Sequence, residues 1–130
     1  MMTTVQALVW SAILTLLMVL VASAFCARVW APGSAMIAFG NREGVPTPLG
    51  MAGRADRAAR NMIEAMVMFL ALALAASIAG KSAQAAYGAT IFFWARLVYW
   101  PVYLAGIIFL RTLIWFASLF GLFLILKEVW

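Results

Sequence analysis

MMTTVQALVWSAILTLLMVLVASAFCA, residues 1–27, contains no charged side chain. A run of that length exceeds the roughly 20 mostly apolar residues that carry a helix through about 30 Å of hydrocarbon. The same economy of charge continues downstream, where fourteen to sixteen uncharged residues separate each of Glu64, Lys81, Arg96, Arg111 and Lys127 from the next. Of the 130 residues, 68% are hydrophobic and 10% are charged, and the mean hydropathy is +1.07. Soluble domains carry about 25% charged residues, so a soluble fold of this size could not hide so much apolar surface. The chain reads as all-α and integral to a membrane, a four-helix bundle with room for little else.

Working outward, the first span is expected over about residues 4–30, stopping at "APGS", where Pro32 and Gly33 break the helix. Residues 32–53 hold three of the four prolines and five of the nine glycines, and read as a loop. Further spans are expected over about 54–79, 85–110 and 112–130, in a single membrane domain. The last boundary has no strong turn signal. However, the segment from Tyr87 to Trp130 would measure roughly 66 Å as one helix, twice a bilayer, so a hairpin is expected near Gly106 to Arg111. "ASA" at 22–24 resembles a signal-cleavage site. No Lys or Arg precedes it, though, and the apolar run exceeds the about 7–15 residues of a signal core.

Charge sets the orientation. The first connection and its flanks hold Arg28, Arg42, Arg54, Arg57 and Arg60, and the third holds Arg111. The second connection offers only Lys81 and the C-terminus only Lys127. By the positive-inside rule, the first and third connections face the cytoplasm and both termini lie outside. Trp10, Trp30 and Trp130 fall near span ends, where amphipathic rings prefer to sit. The net charge of +5 belongs to these span ends, which argues for topology and against nucleic acid. Cys26 is the only cysteine and there is no histidine, so no intramolecular disulfide and no metal centre is expected.

One segment breaks the apolar pattern. "RADRAARNMIEA", residues 54–65, places Arg57, Arg60, Asn61 and Glu64 at i, i+3, i+4 and i+7, an arc of roughly 100° on a helix. Arg60 and Glu64 are i,i+4 neighbours and can form an ion pair. Ala71, Ala75 and Ala79 continue that face with small residues of the kind that let membrane helices approach closely. A carboxylate inside a span is costly and usually faces a bundle interior or a water-filled cavity. In the third span, Arg96, Tyr99 and Tyr103 share one face, with Arg111 at the following hairpin. Arg96 would lie deepest and needs a partner, for which Glu64 is the expected candidate, within or between subunits. Antiparallel packing brings these groups to one depth on the cytoplasmic side. Each also has a plainer reading, as topology determinant, interfacial anchor or helix-packing contact.

"RADRAARNMIEAMVMF", "WARLVYWPVYLAG" and "LRTLIW" resemble the membrane-associated proteins in eicosanoid and glutathione metabolism. This family comprises the microsomal glutathione transferases and the leukotriene and prostaglandin E synthases. The likeness spans roughly residues 25–126 and is closest to the small branch of the bacterial inner membrane. It implies a homotrimer with glutathione held between adjacent subunits near the cytoplasmic face, and a lipophilic electrophile entering from the bilayer. It further implies that Arg57, Arg60, Asn61 and Glu64, with Arg96 and Tyr103, bind the tripeptide. Arg111 and Tyr99 would serve the reacting sulfur, and Thr112 stands where some members have serine. Two other classes remain open on sequence. One is a non-catalytic subunit or scaffold, as in a larger membrane complex, whose polar face stabilises oligomers or binds lipid. The other, a small transporter, is disfavoured because the polar groups gather near one face.

Overall fold

The computed structural model describes the backbone of residues 1–130, and the side-chain surroundings of all except Ala35 and Ala38. Four long helices and one short one make up the chain: α1 (Thr4–Ala27), α2 (Ala35–Phe39), α3 (Gly50–Ile78), α4 (Ser82–Ala105) and α5 (Ile108–Val129). The long helices form a membrane helical bundle in which α4 and α5 share the most extensive contact and α1 packs on α3 and α4. By length and composition α1, α3 and α5 are each apolar enough to cross a membrane. α4 is as long as α1, at 24 residues, but Arg96 and three tyrosines dilute its apolar character. Short turns join it to α3 and α5, so it runs back between those two helices.

The helix limits differ from the expected ones for local reasons. α1 stops at Ala27 because Arg28 takes the left-handed conformation, φ 49, before Pro32 and Gly33 are reached. The expected loop over 32–53 contains α2, and α3 begins at Gly50, earlier than Arg54. α4 ends at Ala105, capped by Gly106 at φ 78, a conformation open to glycine without a Cβ penalty. The hairpin is therefore the two-residue turn Gly106–Ile107, and Arg111 stands in the first turn of α5 rather than between spans.

Small residues let the backbones close in. α3 buries Ala55, Ala58, Ala59, Met62, Ala65, Phe69, Ala73 and Ala76, a seam at helical spacing. Phe69 stacks against Phe92 of α4 with ring centroids 4.3 Å apart. α4 meets α5 where Gly88 faces Gly121. A Cβ on Gly88 would stand 2.6 Å from the Gly121 carbonyl oxygen, and one on Gly121 would stand 2.8 Å from that of Gly88. At the opposite end of α1, a capping box between Thr3 and Gln6 starts the helix. There Thr4 Oγ1 donates to the Ser82 carbonyl at 2.7 Å, docking α1 on the start of α4.

The expected alanine continuation of the polar face is not part of the buried seam. Ala71 and Ala79 are exposed in the single chain and Ala75 is half-buried, while the seam lies roughly 130° round the helix. Large apolar side chains of α1 and α5, among them Leu16, Leu20, Leu113 and Phe116, also face outward. A surface of this kind is stable against lipid or other apolar helices and not against water.

Candidate functional site

Arg96 is the most confined charge in the molecule, with 1% of its surface exposed. It sits on the buried face of α4 with Tyr99 and Tyr103, because i, i+3 and i+7 fall on one side of a helix. Its Nη1 donates to the Asn61 side-chain oxygen at 2.6 Å. Its guanidinium carbon lies 5.3 Å from the Tyr99 ring centroid and 5.6 Å from that of Phe92, close enough for cation–π attraction. Its Nε is buried with no hydrogen-bond partner. Asn61, not Glu64, is thus the partner of Arg96 within the chain. Of the four polar residues on α3, Asn61 lies nearest the buried seam, and Glu64 projects roughly 60° further out.

Arg111 approaches the same place from α5. Its guanidinium carbon stands 4.7 Å from the Tyr103 ring centroid, and Tyr103 meets Tyr99 edge-on at 5.4 Å. Asn61, Tyr99, Tyr103, Arg111, Thr112 and Trp115 together line a cleft of about 260 Å³. Its walls come from three helices and carry an amide, two phenols, a hydroxyl and a guanidinium. That set can accept and donate hydrogen bonds and place positive charge beside an anion. Trp115 was not anticipated, although it stands at i+4 from Arg111 and so shares its face of α5.

Arg57, Arg60 and Glu64 do not line this cleft; all three are exposed on the outer side of α3. Arg60 pairs with Asp56, Nε to Oδ2 at 3.0 Å, in place of the expected Glu64. The acid preceding the base at i,i+4 is the better arrangement on a helix. Arg57 folds back towards the helix start, where its Nη1 would touch a Cβ on Gly53 at 3.2 Å. A stripe with this much charge cannot face hydrocarbon cheaply.

Arg54, whose charge had been read as topology alone, has a defined contact. Its Nε donates to the Leu104 carbonyl oxygen at 2.8 Å, near the end of α4. A larger cavity, about 890 Å³, lies between the end of α1 and the loop of residues 41–49, with Cys26, Arg28 and Arg42 on its walls. None of the expected site residues lines it. The smaller cleft is the chemically organised one, because it gathers a guanidinium, two phenols and an amide on packed helices.

Apolar helices enclosing a buried guanidinium, an amide and two phenols define a helical-bundle membrane protein with a polar site inside it. The model of the MAPEG family matches residues 4–128. The chain belongs to the MAPEG family, whose members are membrane proteins that generally use glutathione in transferase- or peroxidase-type chemistry. Neither the curated proteins nor the solved structures include a match to this chain.

Proposed function

We propose that this protein is a glutathione-dependent membrane transferase or peroxidase acting on lipophilic electrophiles, and that it works as a homotrimer. The observation that carries the reading is the convergence of Asn61, Tyr99, Tyr103, Arg111 and Thr112 on one cleft. At about 260 Å³ the cleft falls just below the roughly 300 Å³ at which small-molecule pockets begin. It is half of a site. The other half is the outward stripe of Arg57, Arg60 and Glu64 on an adjacent copy.

Glutathione suits these groups. Its two carboxylates match arginine forks, and its ammonium matches a carboxylate such as Glu64. The thiol is a poor nucleophile until ionised, with a reference pKa of about 8.5 for a cysteine thiol. A fixed positive charge nearby favours the thiolate, and Arg111 supplies it at the mouth of the cleft. The Tyr99 hydroxyl donates a hydrogen bond to the sulfur. In the transfer reaction the thiolate attacks an electrophilic carbon, a carbon–sulfur bond forms and the leaving group departs with its electron pair. The acceptor enters from the bilayer. The positive-inside distribution supports a site on the cytoplasmic side with both termini outside, and the resemblance supports a bacterial inner membrane as its location.

The test uses the purified chain in detergent. Millimolar glutathione is expected to raise its thermal stability and to produce thiolate absorbance near neutral pH. Glu64→Ala should weaken that stabilisation. If glutathione changes neither quantity and Glu64→Ala instead disperses the oligomer, the polar stripe serves packing or lipid contact in a non-catalytic subunit.

A further inference from the structure

We infer that Arg54 is a positioning residue for the site: it fixes the α4–α5 turn and, through that turn, the place of Arg111 above the cleft. The last carbonyls of a helix have no partner within it. Leu104 is one of these, since the residue that would reach back to it, Ile108, already begins α5. Arg54 fills the vacancy from α3 with its 2.8 Å hydrogen bond. A cation there also meets the negative end of the α4 dipole.

The contact is a clasp and not a passing touch. The Arg54 side chain also lies along Gly106, with Cδ, Nε and Cζ standing 3.7 to 3.8 Å from where a Cβ would project. Gly106 and Ile107 donate backward to the Tyr103 and Val102 carbonyls at 3.1 and 3.3 Å, which closes the turn. Arg111 N then donates to the Ile107 carbonyl at 3.1 Å, so the first turn of α5 is built on the residue next to the clasp. Asn61 stands seven positions along α3 from Arg54, about 10 Å of helix rise. One side chain thereby holds the α3 wall of the cleft in register with its α4 and α5 walls. A cation needed for topology alone could point into the headgroups; this one is half-buried.

The consequence for turnover rests on the glutathione reading above, whereas the positioning itself does not. The test therefore pairs two measurements on the full chain in detergent, with Arg54→Met removing the donor at similar length and Arg54→Lys keeping a cationic donor. In Arg54→Met, amide exchange across residues 104–111 should accelerate about tenfold, the scale of one lost charge-assisted hydrogen bond, while residues 86–93 keep their rates. Turnover should fall about tenfold with KM for glutathione within about threefold, as for a change felt in the transition state. Arg54→Lys should restore both. Unchanged exchange at 104–111 in Arg54→Met overturns the inference, as does acceleration spread evenly over α4. Faster exchange with wild-type turnover overturns the link to Arg111. If exchange responds as expected but the unaltered protein shows no glutathione-dependent turnover, the clasp stands and the glutathione reading falls.

Discussion

Arg96 of α4 donates to the side-chain oxygen of Asn61 on α3 across 2.6 Å, at a depth where Arg96 is almost wholly enclosed. The bond orients the carboxamide as well as neutralising an orphan donor: with its oxygen committed to Arg96, the Asn61 nitrogen is left for the cleft. Removing the acceptor takes the hydrogen bond from a buried guanidinium that otherwise lies against the Phe92 and Tyr99 rings. Asn61→Ala should therefore destabilise the protein by about 2–3 kcal/mol. Arg96→Met combined with Asn61→Leu should cost less than Asn61→Ala alone. Reversible unfolding in mixed micelles measures both, and a double variant that loses more than Asn61→Ala would count against a direct coupling.

The Gly88–Gly121 contact leaves no space for a methyl group, because the nearest atoms in the way of each Cβ are backbone ones, the facing glycine's carbonyl oxygen and, for Gly121, the Phe92 nitrogen as well. Gly88→Ala and Gly121→Ala should each destabilise by about 1–3 kcal/mol, the usual cost of overpacking. Since α4 and α5 must separate in either case, the double variant should lose less than the sum. Thermal denaturation of the four proteins decides it.

Arg111 stands over the Tyr103 ring rather than in an ion pair. If its task is to favour the thiolate, Arg111→Ala should reduce turnover by about 100-fold or more, in the range of lost electrostatic stabilisation. Glutathione affinity should remain within about threefold. Binding calorimetry beside steady-state kinetics separates the two, and an Arg111→Ala protein with full turnover rejects the role.

Asp56 holds Arg60 in a pair whose arginine is 74% exposed. Pairs so open to solvent contribute at most about 1 kcal/mol, so Asp56→Asn should leave the unfolding midpoint nearly unchanged. It should also release Arg60 for a ligand carboxylate and tighten glutathione binding a few-fold. Weaker binding in Asp56→Asn would show that the pair is itself the recognition element.

The long apolar helices were readable because hydrocarbon thickness imposes a length on apolar runs, and few other folds tolerate 27 residues without charge. The convergence of Arg96, Tyr99 and Tyr103 on one face was readable for a similar reason, since helical periodicity alone decides it. Partner choice was not. Charge sign favoured Glu64 for both Arg60 and Arg96. The selection was made instead by side-chain direction along α3 and by angular distance from the buried seam, where Asn61 lies closer. The hairpin falls within the expected bracket of Gly106 to Arg111, but the span limits at 110 and 112 lay a few residues too far along, because a charge inside an apolar run looks like a boundary. The chain turns at Gly106, where a positive φ is available. Arg54 gave no sign of its contact, since a hydrogen bond to a carbonyl 50 residues away leaves no local pattern.

The outward position of Arg57, Arg60 and Glu64 on α3 bears on how such a protein would be controlled. If, as proposed, that stripe completes the site of a neighbouring chain, each binding site would exist only while chains are associated. Its abundance would then rise faster than in proportion to the number of molecules in the membrane. A cell making little of this protein would hold mostly incomplete sites, and modest overproduction would switch on capacity steeply.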